Sequence, residues 1–312
     1  MATSAATPFK SKYDGVLAYG LRSDTVEIVV TPAVGAKIVS LRNRRSGREW
    51  MWSPPDHRAL RVMRVGAPFD SSSLVGGDEC FPTIAACTWQ GRELPDHGEV
   101  WGISWFLDEQ AFGRGQLRTG VSLPVSRFWL ERSLTLAGDT VTFDYAVRND
   151  AFVPQEFMWA FHPLMAITND DEIVLEPTPT TVRLEAAMNL ALGAQGDPVT
   201  WPEPLPGVRL DRLELGGAAA VKLFSEERAV SSAAIRHRPT GEELRFEFDP
   251  RVVNTLGIWL TRGGWNGYHH LALEPGIGAP DALDQAVTRW KRFGLVLPGD
   301  VMRWRFRIRL TT

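Results

Sequence analysis

Hydrophobic and polar residues alternate with period two along much of this chain. The last segment is the clearest. Met302, Trp304, Phe306, Ile308 and Leu310 alternate with Arg303, Arg305, Arg307 and Arg309. Such a pattern predicts a strand with one face in a core and the other in water. Phe128, Leu130, Leu134 and Leu136 alternate with Trp129, Glu131, Ser133 and Thr135, and a second run holds Val141, Phe143, Tyr145 and Val147. Ala137-Gly138-Asp139 separates them, so 128–147 reads as a hairpin. Val26–Val30 and Ala36–Leu41 read as two strands around Thr31–Gly35, which holds Pro32 and Gly35. Two further hairpins are expected, at Ala233–Arg238 with Leu244–Phe248 and at Leu256–Thr261 with Tyr268–Leu273. Gln155–Ile167 reads as one more strand.

The alternation weakens between 171 and 220, where six prolines break the chain into loops and short strands. Val182–Leu192 is expected to form a turn or two of helix. Asp281–Trp290 is expected to form a short helix, with Asp281 as its N-cap after Pro280. No repeat and no change of composition marks a linker. Many antiparallel strands in a chain of 312 residues predict an all-β fold, a large antiparallel β-sandwich, as a single domain spanning 1–312.

Composition sharpens this in two ways. The chain holds 12 Trp, and Gly plus Pro make 49 of 312 residues (28 and 21), so turns and indoles are both abundant. Indoles fill large β cores, and they also present flat faces on which sugars stack. Net charge is −3, from 34 Lys+Arg against 37 Asp+Glu, which gives no basic field for a nucleic acid. The four arginines of the last strand read as a solvated sheet face. No apolar run approaches the roughly 18 residues that cross a bilayer, so no membrane partner is expected. No signal peptide is read at Met1–Asp14. Two cysteines, Cys80 and Cys87, do not suggest a disulfide framework, and a cytoplasmic location is expected.

The candidate chemistry begins with 94–105, Leu-Pro-Asp-His-Gly-Glu-Val-Trp-Gly-Ile-Ser-Trp. Buried charges and indole N–H groups need partners, so this stretch is either a wet loop or the wall of a polar, aromatic pocket. Asp96 and Glu99 are open between a hydrogen bond to His97 and solvent. Gly76-Gly77-Asp78-Glu79 is a loop that presents two acids. His162 lies in an apolar run, Trp159-Ala160-Phe161-His162, and is either a satisfied core histidine or an acid or base facing a concavity. Glu274 closes another apolar run and is either a strand end or a base in a pocket. No nucleophile elbow, phosphate loop or zinc-protease sequence is present. The six histidines form no i, i+4 or H-x-H pair, and His269 and His270 point to opposite faces of a strand, so no metal is expected.

Taken together, these segments resemble the aldose 1-epimerase, or galactose mutarotase-like, family. The resemblance rests on Pro32, Gly35 and Ile38–Leu41, on Asp96-His97-Gly98 with Trp101 and Trp105, on Phe161-His162-Pro163, and on Leu273-Glu274-Pro275 with Pro280-Asp281-Ala282. It implies a β-sandwich of the galactose mutarotase-like type with an open sugar cleft and no cofactor. It implies that Glu274 takes the proton of the anomeric hydroxyl, that His162 gives a proton to the ring oxygen, and that His97 binds the sugar. The expected ligand is a small-molecule sugar or sugar phosphate, with Trp101 and Trp159 as further binding groups. The sequence departs from the family where Leu164, Met165 and Ala166 follow His162 in place of an aromatic and an Asn. The family's sugar-holding acid has no counterpart, and Asp78 and Glu79 stand as candidates for it. Arg61, Arg64 and Arg262 stand as candidates for a phosphate. The alternative is a non-catalytic carbohydrate-binding protein on the same fold.

Overall fold

The computed structural model describes residues 6–213 and 217–312. Two antiparallel sheets face each other. The smaller has eight strands, in the order Asp171–Glu176, Ser232–His237, Glu243–Phe248, Val301–Thr311, Thr140–Asn149, Phe128–Ala137, Gln116–Ser122 and Phe106–Leu107. The larger has eleven. Its first half runs Thr7–Tyr13, Val16–Arg22, Val26–Thr31, Lys37–Asn43 and Gly77–Cys80. Its second half runs Trp159–Pro163, His269–Ile277, Thr255–Arg262, Ala219–Ser225, Thr181–Met188 and Pro198–Thr200.

Alternation decides which residues lie between the sheets. In Val301–Thr311, Trp304, Phe306, Ile308 and Leu310 are buried. The intervening arginines are partly solvated and meet carboxylates across the strands: Arg305 reaches Asp144 at 2.6 Å and Arg309 reaches Glu247 at 2.5 Å. The core continues through Phe143 stacked on Phe306 (4.3 Å between centroids) and Tyr145 stacked on Trp304 (5.2 Å). Burying such rings supplies much of the force that holds the sheets together.

Charged groups also cross this interface. Glu79, on the large sheet, accepts hydrogen bonds from Arg132 (2.8 Å) and Tyr145 (2.7 Å) of the small sheet, and from the Trp159 indole (2.7 Å). All four side chains are buried.

Four expectations about elements change. The 76–79 stretch is not a loop that presents acids: Gly77–Cys80 is a strand of the large sheet, buried throughout, because it pairs with Trp159–Pro163. Val182–Leu192 is not helical: Thr181–Met188 is a strand, paired with Ala219–Ser225 on one side and Pro198–Thr200 on the other. Tertiary pairing overrides the helix propensity of Glu185-Ala186-Ala187-Met188. Gln155–Ile167 is split. Gln155–Phe157 pairs with Gly294–Val296, and Trp159–Pro163 enters the large sheet. The 281–290 helix shrinks to Leu283–Gln285 followed by a π-turn over Ala286–Trp290, and its N-cap is Ala282, with no side-chain cap. Asp281 instead holds the 84–85 backbone through its carbonyl, which accepts from Ile84 (3.0 Å) and Ala85 (2.8 Å). No helix among the described residues is long and apolar enough to cross a membrane.

Candidate functional site

The outer face of the large sheet carries a cavity of about 290 Å³. That is near the lower bound of ligand pockets (~300–1,000 Å³). Five adjacent strands build its floor, and strand parity decides which side chains reach it. Phe161 and Trp159 turn inward to the sheet interface, so His162 turns outward. Leu271 and Leu273 turn inward, so His270 and Glu274 turn outward. Trp259 and Lys222 face outward from the next two strands. A β-bulge between Leu184 and Ala186 interrupts the register of the fifth, Thr181–Met188, and leaves both Glu185 and Ala186 on the cavity.

The walls are loops. His97 adopts a left-handed backbone conformation (φ +57°), and its N–H donates to the Ile84 carbonyl at 2.6 Å. Gly98 follows at φ +75°, and a Cβ there would lie 2.1 Å from the Phe81 carbonyl oxygen, so this corner admits only glycine. The His97 ring stacks on Phe69 at 3.6 Å between centroids, and its Nδ1 lies 2.9 Å from the Asp96 carboxylate. Glu99 is tied down by the Val125 and Ser126 amides (2.7 and 3.1 Å). Both acids left open by the sequence therefore have partners: Asp96 orients His97, and Glu99 anchors the loop. Asp70, Trp265 and Asp281 complete the rim.

His162 and Glu274 come together, with His162 Nε2 3.7 Å from Glu274 Oε1. The other carboxylate oxygen receives Lys222 Nζ at 2.5 Å, and Lys222 also lies 3.7 Å from Asp281. Gly257 makes room for this: a Cβ there would sit 2.9 Å from Glu274 Oε2. His162 and His97 approach edge to face at 5.4 Å. Burial pushes the Glu274 carboxyl up, and the Lys222 ammonium pulls it back. Burial, with His97, Lys222, His270 and Lys37 adding positive charge, pushes His162 well below the usual range. Burial opposes the charge on Lys222, but Asp281 and Glu274 outweigh it and raise its pKa. Glu185 is raised to about 7, by burial and then by the neighbouring Asp281. His270 is lowered to about 3 by burial and His269, and its neutral Nε2 accepts from the Trp259 indole at 3.1 Å.

Several polar atoms here have no hydrogen-bond partner among the described residues: Glu274 Oε1, His162 Nδ1, Asp281 Oδ1, Glu185 Oε2 and His270 Nδ1. Buried polar atoms left open in a concavity are groups available to a ligand.

Other residues singled out in the sequence lie elsewhere. Glu79 and Trp159 do not face the cavity. They bond to each other on the inner face of the large sheet, because their positions in the strands have the opposite parity to Asp78 and His162. Asp78 shares the outer face with His162 but is fully buried against Lys37 (2.5 Å), beneath the loops rather than on the cavity surface. Trp101 is also buried and meets Phe69 edge to face at 5.1 Å, so it supports the ring on which His97 stacks. Arg61 and Arg262 bond to the Ser71 carbonyl and the Asn169 side chain, and neither they nor Arg64 lines the cavity. The sequence reading missed Lys222, Glu185 and Asp281. Lys222 had a signal as a single cation inside the apolar run 218–224, and Asp281 had one as part of the Pro-Asp-Ala segment that carries the resemblance. Glu185 depends on a bulge, and Asp281 was read as a helix cap.

The two sheets, their strand order and the cleft on the larger one define a β-sandwich of the galactose mutarotase-like type. The chain is similar to a galactose mutarotase-like protein from Lactobacillus casei (TM-score 0.68, 16% identity, covering 94% of this chain and 100% of that one). It is equally similar in fold to a galactose mutarotase-like protein from Clostridium acetobutylicum (0.68, 9%, 99% of each). A galactose mutarotase related enzyme from Lactobacillus acidophilus aligns over 95% of this chain and 97% of its own (0.65, 13%). No protein-family model matches the sequence, and no curated protein matches it.

Proposed function

We propose that this protein is a cofactor-free isomerase that interconverts the α and β anomers of an aldose or sugar phosphate. The observation that carries the reading is the 3.7 Å approach of His162 Nε2, on the cavity wall, to Glu274 Oε1, buried beside it. Ring opening needs a base at the anomeric hydroxyl and an acid at the ring oxygen, and both oxygens are bonded to one carbon. A carboxylate and an imidazole side by side suit that pair of atoms. Glu274 takes the hydroxyl proton, His162 protonates the ring oxygen, the C1–C2 bond rotates, and closure on the other face yields the other anomer. His97, held by Asp96, binds the sugar near the ring oxygen. Phe69, Trp259 and Trp265 offer aromatic faces to its C–H groups.

The pKa directions shape the pH profile. Burial favours neutral Glu274 with neutral His162, whereas the working pair is carboxylate with imidazolium. Both forms carry one proton, so their ratio is constant between the two macroscopic pKa values, and the profile is bell-shaped. The Lys222 ammonium tips that ratio toward the carboxylate.

Polarimetry or saturation-transfer NMR over a panel of free and phosphorylated aldoses tests the proposal. It expects faster anomer exchange for at least one sugar. Unchanged exchange for every sugar overturns it, and saturable binding in calorimetry without a rate effect would establish a carbohydrate-binding protein instead.

A further inference from the structure

Beside the cavity lies a second constellation that the anomer exchange does not require: His97 and His162 line the cavity, and Cys80 is buried next to them. Cys80 Sγ and one ring nitrogen each of His97 and His162 all lie within 4.8 Å of one another. They come from three separate segments. Cys80 and His162 sit on neighbouring strands, on the same face, where Ala160 pairs with Cys80 and His162 with Asp78. His97 descends from the loop above. We propose that Cys80, His97 and His162 form a binding site for a zinc-class divalent cation, with a fourth position open to the cavity.

Four features of the site support this. First, one thiol and two imidazoles are the ligand set of borderline-soft cations such as Zn²⁺ and Co²⁺, and not of Mg²⁺ or Ca²⁺. Second, His97 Nδ1 is engaged by Asp96 at 2.9 Å, which leaves Nε2 to ligate. A carboxylate behind a ligating histidine is the usual way such a ring is oriented and made more basic. Third, His162 is more than nine-tenths buried, and its Nδ1 has no hydrogen-bond partner among the described residues, while its Nε2 faces Glu274. Ligation through Nδ1 therefore satisfies an orphaned atom and leaves Nε2–H directed at a carboxylate. Fourth, two of the three ligands are fixed by paired strands, so the side chains need to draw in by only about 1 Å to reach tetrahedral spacing. In-chain spacing gave no hint of the site, because its three ligands are 17 or more residues apart and meet only across the sheet.

A cation on His162 excludes the acid role assigned to that ring, so zinc should inhibit anomer exchange. The binding itself is independent of that reaction and is tested without any sugar. The full chain, reduced and free of metal, is titrated with Co²⁺ while absorbance is followed in the near-ultraviolet, where thiolate-to-cobalt charge transfer appears, and in the visible. One equivalent should bind with a thiolate band, and Zn²⁺ should displace it. Cys80→Ser should abolish the charge-transfer band, and His97→Gln should weaken binding at least tenfold while the fold, read by circular dichroism, is retained. Asp96→Asn should weaken it by about 10-fold or more through the ring it orients. Cys87→Ser should change nothing, since that thiol lies against Thr83. Absence of a thiolate band, or a band that survives Cys80→Ser, overturns the site. Should Cys80→Ser fail to fold, unaltered Co²⁺ affinity in His97→Gln overturns it equally. Anomer exchange without metal binding would remove this proposal alone, and metal binding without exchange would remove only the reaction.

Discussion

Two clusters of buried charge lie on opposite faces of the same sheet, and they differ in how completely they are satisfied. Between the sheets, both oxygens of Glu79 are occupied by Arg132, Tyr145 and Trp159. On the outer face, Glu274 has one oxygen on Lys222 and the other without a hydrogen bond, and His162, Asp281 and Glu185 each carry an unpaired polar atom. Both clusters hold a carboxylate against a cation at hydrogen-bonding distance. The inner one is closed by aromatic packing and fixes how the two sheets meet. The outer one borders a cavity, and its unpaired atoms are those on which the proposed reaction relies. Burial of charge thus does not separate structure from function in this protein. The state of the carboxylate does: the inner cluster also leaves Arg132 Nε without a partner among the described residues, but both Glu79 oxygens are occupied, whereas Glu274 keeps one oxygen open.

The comparison is broken most severely at Glu274. Glu274→Gln keeps the shape and an acceptor for Lys222, so the fold should persist, while the exchange rate measured by saturation-transfer NMR should fall by about 10²–10⁴. The mirror experiment is Glu79→Gln. It leaves the buried Arg132 guanidinium uncompensated and should cost about 3–5 kcal/mol in urea unfolding, with the activity per folded molecule retained. If Glu79→Gln lowered activity without lowering stability, the two clusters would not be separable in this way.

Smaller effects sharpen the contrast. Lys222→Met removes the cation that favours the Glu274 carboxylate. The acid limb of kcat/KM should move to higher pH, and activity at neutral pH should drop about tenfold, the effect of moving one pKa by about one. Glu185 gives the smallest effect and the clearest sign. Its carboxyl is raised to about 7 in the fold, against 4.5 for an ordinary glutamate. The folded state then binds more protons than the unfolded state between those values, so this group's contribution to stability falls as pH rises from 4.5 to 7. Glu185 is partly exposed, which limits the loss to about 1 kcal/mol. Glu185→Gln should abolish that loss, seen as a gain in urea midpoint relative to the parent at pH 8 and little difference at pH 4.5.

Period-two alternation made the strands of the small sheet legible: Phe128–Ala137, Thr140–Asn149 and Val301–Thr311 each have one apolar and one polar side, so their parity is written in the residues. The large sheet's central strands are buried on both faces, as at Gly77–Cys80 and Trp159–Pro163, where every residue is buried. Nothing in such a run says which parity faces a ligand. That is why Asp78, Glu79, Trp159 and His162 all looked eligible, and only pairing with a second sheet sent Glu79 and Trp159 inward and left His162 on the cavity.

The sequence by itself determined that this chain is an antiparallel β protein, and its ordered motifs marked His97, His162 and Glu274. It could do so because alternation and short motifs are local. The tertiary structure alone decided that Lys222 would hold Glu274, that a bulge would turn Glu185 into the cavity, and that Cys80 would lie beside two histidines. Each of these is a contact between strands or loops distant in the chain, where register and parity, rather than composition, set which side chains meet.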